Sequence, residues 1–417
     1  MNLIQLKNLL IVFCFLIFQG AFSQEVIKTM FYNVFNYPSA PTPNRAQILS
    51  DIIAFYDPDI FMVCEIETEE GADDILNNAL NNTGNIYERS PFVANQSGIS
   101  ELQQMVFFKA SKFFLETTDV IVTTIRDINR FQLKLLTDDQ QNNPVFLDLY
   151  VAHLKSSTGS ANQQLRLQMV SEFTATLPNL DPNSYVIFSG DLNLYTSSEP
   201  AYQELLNPNN AITMADPLDA PGSWHDNPNF AYLHSQSTRL SNVGFGGGAG
   251  GGLDDRFDYI LVSENMLQNP EMLYLQDTYK SFGNNDNCLN NRIDSPDCDG
   301  FYSQALRDRL YLMSDHLPIV MQLQTNQTFL STPDFTNSNL IQFPSGNVAT
   351  NYLNIQVDNR IQKEIAFDIY NVFGQKITSI KNNNTLQYKV DISSYASGMY
   401  YLIPNQISNK TYKFLKK

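Results

Sequence analysis

The chain has 417 residues, of which 43% are hydrophobic and 17% are charged, and its formal net charge is −17. This length and apolar content are sufficient for two domains with packed cores. The negative charge argues against a broad basic surface for nucleic acid, because nonspecific affinity comes from Lys and Arg neutralising phosphates. It still allows a local basic cleft, or a hydrolase whose metal ions supply the positive charge.

The first 23 residues have the pattern of a secretory signal peptide. Lys7 supplies a positive charge, residues 9–18 are apolar, and Ala21 and Ser23 are small residues at the cleavage positions. A membrane anchor is the alternative, but the apolar run is short for a bilayer. We therefore predict cleavage near Ser23, no transmembrane segment after it, and a protein that is secreted or held at the cell surface.

Residues 26–324 are rich in predicted strands with interspersed helices. Residues 45–56 and 163–177 have the apolar periodicity of helices. Eight strand candidates are rich in Val, Ile, Phe and Tyr and are bounded by turn residues: 26–34, 60–64, 105–108, 131–136, 145–152, 185–188, 257–262 and 318–323. Several of them are apolar on both faces, which indicates two sheets packed together and covered by helices.

Polar side chains repeatedly stand at the ends of these apolar runs. They are Asn33, Glu65, His153, Asp191 with Asn193, Asp258, and Asp315 with His316. A strand that carries only core residues has no reason to end in such side chains. Because ionisable groups are costly to bury unless they are paired or bound to metal, we predict that this set shares one site.

The residue types suit hydrolysis of a phosphodiester, which requires neutralised phosphoryl oxygens, an activated water and a stabilised leaving group. Glu65 and Asn33 offer the hard oxygen ligands that Mg²⁺ or Mn²⁺ prefers. Asp191 and Asn193 are two residues apart, so in an extended segment both point the same way. Asp191 would then orient or deprotonate the water, or join a second metal, and Asn193 would donate a hydrogen bond to a phosphate oxygen.

The chain contains only four histidines. His316 would be bonded to Asp258 if their strands are neighbours, and a carboxylate on one imidazole nitrogen suits a general base or a transition-state stabiliser. His153 would protonate the leaving group or contact the phosphate. His225 and His234 have no comparable context, so we interpret them as surface or loop residues.

Lys155, Arg130 and Arg256 are candidate phosphate clamps, although an ordinary surface charge explains each of them equally well. Residues 244–252 are glycine-rich, but they lack the Lys-Ser/Thr of a P-loop and no helix follows. Glycine runs without a motif behave as flexible segments, so we predict a flexible surface loop beside the site.

Export changes the interpretation of the cysteines. Cys64 lies in a strand-like run and is predicted to be a buried free thiol. Cys288 and Cys298 are candidates for a disulfide that closes a polar loop, although spacing alone does not establish the bond. Four carboxylates in this loop raise the alternative of a structural Ca²⁺ site: Asp286, Asp294, Asp297 and Asp299. Their order does not match an EF-hand, so a solvated loop is the preferred interpretation.

All the motifs in this order resemble the endonuclease/exonuclease/phosphatase family, which includes deoxyribonuclease I, abasic-site endonucleases, sphingomyelinases and inositol polyphosphate phosphatases. The resemblance spans about residues 25–323. It implies an α/β fold, a four-layer sandwich with two central, mostly antiparallel sheets. It implies metal-binding roles for Asn33, Glu65 and Asp315, and catalytic roles for His153, Asp191, Asn193, Asp258 and His316. Arg130 stands where some nucleases carry a phosphate-contacting Arg.

The last part of the chain has a different pattern. Beyond a Thr-, Asn- and Ser-rich linker, only short strands are predicted: 352–357, 365–372, 375–380, 387–392, 399–404 and 411–415. The stretches IYNVFGQKI, VDISSYASGMYYL and YKFLKK resemble the type A sorting domain that Bacteroidetes use for type IX secretion. A carbohydrate-binding or adhesive β-sandwich is the alternative. The predicted organisation is a signal peptide (1–23), a catalytic domain (24–325), a linker (326–340) and a sorting domain (341–417).

These features predict a secreted, metal-dependent phosphodiesterase, with nucleic acid as its substrate and the type IX machinery as its partner. The alternatives are a sphingomyelinase-like phospholipid phosphodiesterase, a phosphomonoesterase, or a non-catalytic surface-binding protein on a degraded scaffold. No loop is clearly the exposed aromatic hairpin of a lipid enzyme. The presence of every expected polar residue argues against a degraded scaffold, and the fold alone cannot choose among substrates.

Overall fold

The computed structural model describes residues 24–98, 100–330, 341–344, 346–357, 366–372, 374–381, 386–404 and 411–417. The chain divides into two compact units, Met1–Leu330 and Ser331–Lys417. The predicted signal peptide and residues 331–340 of the predicted linker lie outside the described residues. Within the part of the chain that is described, no helix is long and apolar enough to cross a membrane.

The first unit contains five described α-helices: α1 (Arg45–Tyr56), α2 (Glu69–Asp74), α3 (Ser160–Thr174), α4 (Pro200–Leu205) and α5 (Gln304–Met313). A π-helical turn, Ile75–Leu80, continues α2, and short 3₁₀ turns cover Leu177–Asn179, Pro228–Leu233, Glu264–Leu267 and Pro296–Cys298. The predicted helix at residues 45–56 has the observed bounds, and α3 confirms the second predicted helix with a start three residues earlier. Asp57 ends α1 in the left-handed region, directly before Pro58, which disfavours a helical conformation at the preceding residue.

Thirteen strands of the first unit form two sheets. They are β1 (Glu25–Tyr37), β2 (Ile60–Ile66), β3 (Tyr87–Arg89), β4 (Gln103–Lys109), β5 (Phe113–Ile121), β6 (Ile128–Leu135), β7 (Phe146–His153), β8 (Tyr185–Asp191), β9 (Met214–Ala215), β10 (Asp258–Ser263), β11 (Leu273–Tyr274), β12 (Lys280–Ser281) and β13 (Ile319–Thr325). The first sheet has the order β11-β13-β1-β2-β4-β3, with β12 also paired to β13, and the second has the order β5-β6-β7-β8-β10-β9. The pairs β1–β2 and β7–β8 are parallel, and the other pairs are antiparallel.

Alternation of buried side chains along the strands builds four layers. In β1, Phe31 packs in the core between the two sheets, while Tyr32 packs with α1 and α5 on the outer face of the first sheet. In β7, Leu149 faces the core between the sheets and Tyr150 packs with α3 and α4. Successive strand residues point to opposite faces, so an apolar residue on both faces requires a covering layer on each side. The predicted α/β sandwich with two central sheets is confirmed.

The loop after β12 is closed by a disulfide between Cys288 and Cys298, whose Cα atoms are 5.0 Å apart, and Cys64 is a buried free cysteine. The loop carboxylates do not converge. Asp294 pairs with Arg292, and the described clusters of three or more His and acidic side chains contain none of the four loop aspartates. The geometry therefore gives no support to the calcium alternative.

The second unit is all-β in its described residues. Its strands are β14 (Ile341–Gln342), β15 (Val348–Ala349), β16 (Tyr352–Val357), β17 (Phe367–Asn371), β18 (Lys376–Ile380), β19 (Gln387–Asp391), β20 (Gly398–Pro404) and β21 (Tyr412–Lys416). A three-stranded sheet, β14-β16-β19, and a five-stranded sheet, β15-β21-β20-β17-β18, share one apolar core. This separate core confirms the expectation of a C-terminal all-β region.

Candidate active site

Three polar side chains lie side by side at one edge of the second sheet. The parallel register of β7 and β8 places His153 opposite Asp191, and the antiparallel register of β8 and β10 places Asp258 opposite the same Asp191. The three side chains form a row because β7 and β8 end, and β10 begins, at the same level of the sheet. All three residues are buried, at 4% exposure or less.

Asn33 and Glu65 belong to the neighbouring strands β1 and β2 of the first sheet. Asn33 Nδ2 donates to Glu65 Oε1 over 2.9 Å and to Asp191 Oδ2 over 3.1 Å, so it joins the two sheets. Glu65 has a φ of 66° within its strand, and its Oε2 accepts from the backbone N–H of Asn36. A non-glycine residue in the left-handed region is uncommon, and such strain concentrates at functional sites.

His316 follows α5 and completes the cluster. Its Nδ1 lies 2.7 Å from Asp258 Oδ2, and its Nε2 lies 3.6 Å from Asp191 Oδ2. Ser235 Oγ also donates to Asp258 Oδ2, over 2.6 Å. Burial alone lowers the pKa of His316, but the charges of Asp258 and Asp191 outweigh it and hold the pKa well above its usual value. The pair thus favours a charged imidazolium.

The other buried histidine has the opposite environment. Burial, reinforced by Arg126 and His316, holds the pKa of His153 well below its usual value. Its Nε2 lies 3.5 Å from Asp191 Oδ2, and its Nδ1 is buried without a hydrogen-bond partner among the described residues. A neutral imidazole therefore faces the charged one across Asp191. Burial and the nearby Asp258 charge raise the pKa of Asp191, although His316 opposes them.

Asn193 does not lie in an extended segment. The strand ends at Asp191, and Asn193 has a φ of 51°, so the prediction that both side chains follow one strand face is wrong in its geometry. The turn still keeps the two together, because Asn193 Nδ2 donates to Asp191 Oδ1 over 2.7 Å. In this arrangement Asn193 orients the carboxylate of Asp191.

The set can hold a divalent cation beside Glu65. Glu65, His153 and Asp191 each offer a ligand atom, and these atoms lie within 4.8 Å of one another. Burial and then the charge of Asp315 raise the pKa of Glu65, so Asp315 adds negative charge to the same region. Asp315 Oδ1 is buried and has no hydrogen-bond partner among the described residues. Buried charges without partners are costly unless they bind metal, and carboxylate oxygens are the ligands of Mg²⁺ and Mn²⁺. The residues present therefore fit a hard divalent cation.

Comparison with known protein families agrees with this geometry. The model of the endonuclease/exonuclease/phosphatase family matches residues 30–271, which include Asn33, Glu65, His153, Asp191 and Asp258. The chain belongs to this family. Members of the endonuclease/exonuclease/phosphatase family are phosphodiesterases and phosphatases that depend on divalent metal, so the protein is a hydrolase acting on ester bonds. The secretion system C-terminal sorting domain matches residues 346–417, which indicates export through the type IX machinery.

Several solved structures are similar to this chain at low sequence identity. TDP2 of D. rerio, in complex with a single-stranded DNA product, is 16% identical, with 72% of this chain and 100% of that chain covered and a TM-score of 0.47. A family protein from Bacteroides thetaiotaomicron is 13% identical, with coverages of 72% and 96% and a TM-score of 0.45. The human Nocturnin catalytic domain with bound sulfate is 16% identical, with coverages of 72% and 97% and a TM-score of 0.43. No curated protein matches the chain.

Arg130 and Arg256, two of the three residues predicted to bind phosphate, pair with carboxylates of the protein instead. Arg130 NH2 lies 2.6 Å from Asp148 Oδ1, and its NH1 contacts Asp119, on the second sheet. Arg256 is buried and its guanidinium bonds both oxygens of Asp216. Because carboxylates of the protein already hold each guanidinium, neither is free for substrate, and both predictions are corrected.

Lys155, the third predicted clamp, lies in the loop after His153, where its Nζ donates to the carbonyl of Ser156. Beside it is a residue that the sequence pattern did not single out. Arg126 NH1 donates to the carbonyls of His153 and Leu154, over 3.2 and 3.1 Å, and its Nε is buried without a partner among the described residues. The signal for it is the antiparallel pairing of β6 with β7, which brings the residues before β6 next to the end of β7.

Gln236 is the second residue that the pattern missed. Its Nε2 lies 2.6 Å from His316 Nε2 and 3.3 Å from Asp315 Oδ2, and no local sequence signal marks it. The two remaining histidines differ from each other. His225 is half-exposed and bonded to Asp255, while His234 is fully buried with its Nε2 2.8 Å from the Trp224 carbonyl. His225 therefore lies at the surface, and His234 lies in a loop, as predicted, although that loop is buried.

Proposed function

We propose that this protein is a secreted, metal-dependent phosphodiesterase that cleaves DNA or RNA outside the cell. The observation that carries the proposal is the convergence of two histidines and the carboxylates around Asp191, with one imidazole bonded to a buried carboxylate. Side chains of these types, placed together in one buried cluster, have no structural purpose that apolar residues would not serve better.

Glu65 and Asp315 are proposed as carboxylate ligands of Mg²⁺ or Mn²⁺, with Asn33 as the third member of the set through its contact with Glu65. When bound, such an ion neutralises charge on the phosphoryl oxygens. The protein's own residues would do the rest. Asp191, held by Asn193 and Asn33, is positioned to orient and deprotonate a water molecule.

His316 and His153 have distinct proposed roles. Asp258 accepts from Nδ1 of His316 and stabilises its imidazolium, so its Nε2–H can donate to a phosphoryl oxygen as charge develops there. His153, on the other side of Asp191, is placed to donate a hydrogen bond from its neutral imidazole to the leaving oxygen. Arg126 and Lys155 border His153 and are the proposed contacts to the phosphate backbone of a polymer.

The domain organisation of the proposal follows the two compact units. We propose that residues 24–330 form the catalytic domain, five residues longer than the sequence predicts because Phe329 packs in its core. We further propose that residues 1–23 are removed as a signal peptide and that residues 341–417 deliver the enzyme to the cell surface or the medium. The separate apolar core of the second unit supports this division. An enzyme exported in this way would meet extracellular nucleic acid.

A panel assay of the purified chain 24–417 tests the proposal. With Mg²⁺ or Mn²⁺ we expect cleavage of DNA or RNA with little sequence preference, since contacts to the backbone carry no base information. EDTA should abolish cleavage, and added salt should weaken it steeply. His316→Ala should reduce turnover by about 10²–10⁴-fold. Asp148→Asn is the matched control, because this buried carboxylate bonds Arg130 instead of a histidine. Full activity in EDTA would contradict the mechanism.

A phospholipid phosphodiesterase is the second candidate, and one observation favours it. Leu240 and Val243 are 52% and 83% exposed, and they lie in the segment that leads into the glycine-rich residues beside Asp315. Exposed apolar residues near a site are a means of contacting lipid. Hydrolysis of sphingomyelin in vesicles without cleavage of nucleic acid would favour this second function. The proposed roles of the metal ligands and histidines would not change, because both reactions take place at a phosphodiester.

A further inference from the structure

Residues 244–252, here called the glycine loop, are tied at their base to the chain that leads into them. The N–H groups of Gly251 and Gly252 donate to the carbonyls of Leu240 and Arg239, over 3.1 and 3.0 Å. The ring of Phe245 lies 3.7 Å from the Arg239 guanidinium. A run of glycines with no such anchors would behave as a flexible segment, so these contacts give the loop a defined place.

The loop makes a direct hydrogen bond to one carboxylate of the candidate site. The backbone N–H of Ala249 donates to Asp315 Oδ2 over 2.6 Å, and Gln236 Nε2 is 3.3 Å from the same oxygen. Asp315 Oδ1 is left buried without a partner among the described residues. One oxygen is thus held by the loop, and the other remains available for a ligand.

Glycine is required where the loop approaches this carboxylate. A Cβ on Gly248 would lie 2.9 Å from Asp315 Oδ2 and 2.9 Å from the Phe35 ring, and the φ of Gly248 is +83°. Gly251 has a similar positive φ of +110°, but a Cβ there would meet nothing within 4 Å. The two positions therefore share the backbone strain of substitution and differ in the contacts with Asp315 and Phe35.

We propose that the glycine loop is a positioning element of the metal site: Ala249 N–H fixes the carboxylate of Asp315 so that Oδ1 is presented to a divalent cation, and Gly248 permits that approach. This inference rests on the proposed function, since it takes Asp315 as a metal ligand. Hydrogen-bond partners that orient a ligand affect metal affinity by about 10–100-fold. The loop is then part of the metal site although it supplies no ligand atom.

Mn²⁺ binding to the metal-free chain 24–417, measured by the loss of the free Mn²⁺ electron paramagnetic resonance signal, tests the inference without relying on turnover. Gly248→Ala should weaken Mn²⁺ binding by about tenfold or more, in the range expected for such partners. Gly251→Ala should bind as the wild type does. Both variants carry the same kind of backbone strain, and Gly248→Ala should melt at the lower temperature because its Cβ also meets Asp315 and Phe35, so Mn²⁺ binding is measured well below both melting temperatures.

Two further variants keep the inference testable if Gly248→Ala does not fold. Ser237 Oγ donates to the Ala249 carbonyl over 3.0 Å, so Ser237→Ala should weaken Mn²⁺ binding by about 2–10-fold, the value of one hydrogen bond. On an Asp315→Asn background the same Ser237→Ala change should have no further effect. Unchanged Mn²⁺ affinity in both Gly248→Ala and Ser237→Ala would overturn the role of the glycine loop and would leave the proposed metal site standing. A wild-type chain that binds no Mn²⁺ would overturn the proposed metal site as well.

Discussion

Replacing Asp258 by Asn tests the partnership with His316 most directly. The substitution keeps the shape of the side chain and removes the charge that lies 2.7 Å from His316 Nδ1. Asp258 is fully buried, so water cannot stabilise the His316 imidazolium in its place. The Ser235 hydroxyl can still contact the new side chain, which limits the structural change to the charge itself.

The size of the effect can be bounded from this geometry. A hydrogen bond to a charged group contributes about 1.5–3 kcal/mol, which sets the lower bound. Two unit charges 2.7 Å apart attract by about 6 kcal/mol at an effective dielectric constant of about 20, which sets the upper bound. We therefore expect turnover of Asp258→Asn to fall by about 10³-fold, equivalent to about 4 kcal/mol of transition-state stabilisation.

The assay is hydrolysis of bis-p-nitrophenyl phosphate with saturating Mn²⁺, with kcat and KM measured separately. The loss should fall on kcat, because Asp258 acts through His316 in the transition state. Asp148→Asn again serves as the control, since it removes a buried carboxylate from the same sheet without touching a histidine. A kcat for Asp258→Asn within tenfold of the wild type would refute the reasoning.

Three other substitutions or truncations have defined outcomes. Arg126→Ala should lower kcat/KM on DNA or RNA by about 10–100-fold, the value of one bond to a charged group, whereas Arg130→Ala should leave it unchanged. Asp216→Asn should lower the melting temperature at neutral pH, because it leaves Arg256 buried and unpaired. Burial raises the pKa of Asp216, but the charge of Arg256 outweighs burial, so the pKa is lowered. The stability that the Asp216–Arg256 pair contributes is therefore present above about pH 4 and is lost as the pH falls through the folded-state pKa. Calorimetry should show that the difference in melting temperature between variant and wild type shrinks only below about pH 4. Removal of residues 331–417 should leave hydrolysis intact and abolish delivery in a secretion assay, and loss of hydrolysis in the folded, truncated protein would show that the second unit contributes to the site.

Much of the fold was predictable because its signals are local. Apolar residues at helical spacing marked α1 and α3, and apolar runs marked the central strands of both sheets. Helix α5 was missed because its composition hides its buried face: Arg307 is fully buried and bonds the carbonyls of Ile293 and Tyr302. A charged residue satisfied by distant backbone groups looks, in sequence, like a residue on a solvent-exposed face.

The members of the candidate site were also predictable, because buried polar residues at strand ends are expensive unless they act together. Their neighbours were not. Arg126 and Arg130 are the same residue type four positions apart, and only the pairing of β6 with β7 places Arg126 at His153 and Arg130 at Asp148. Likewise, Arg256 resembles a phosphate clamp until the fold brings Asp216 against it.

The amino-acid pattern alone predicts which strands end in polar residues, that two sheets need two covering layers, and that the C-terminal region consists of short strands. It does not show which cations are already paired with carboxylates or which loop holds Asp315, because both depend on contacts in the folded chain. The physical reason is distance along the chain. Strand and helix patterns depend on neighbours within a few residues, whereas the bond from Ala249 to Asp315 joins residues 66 positions apart and exists only once the chain has folded.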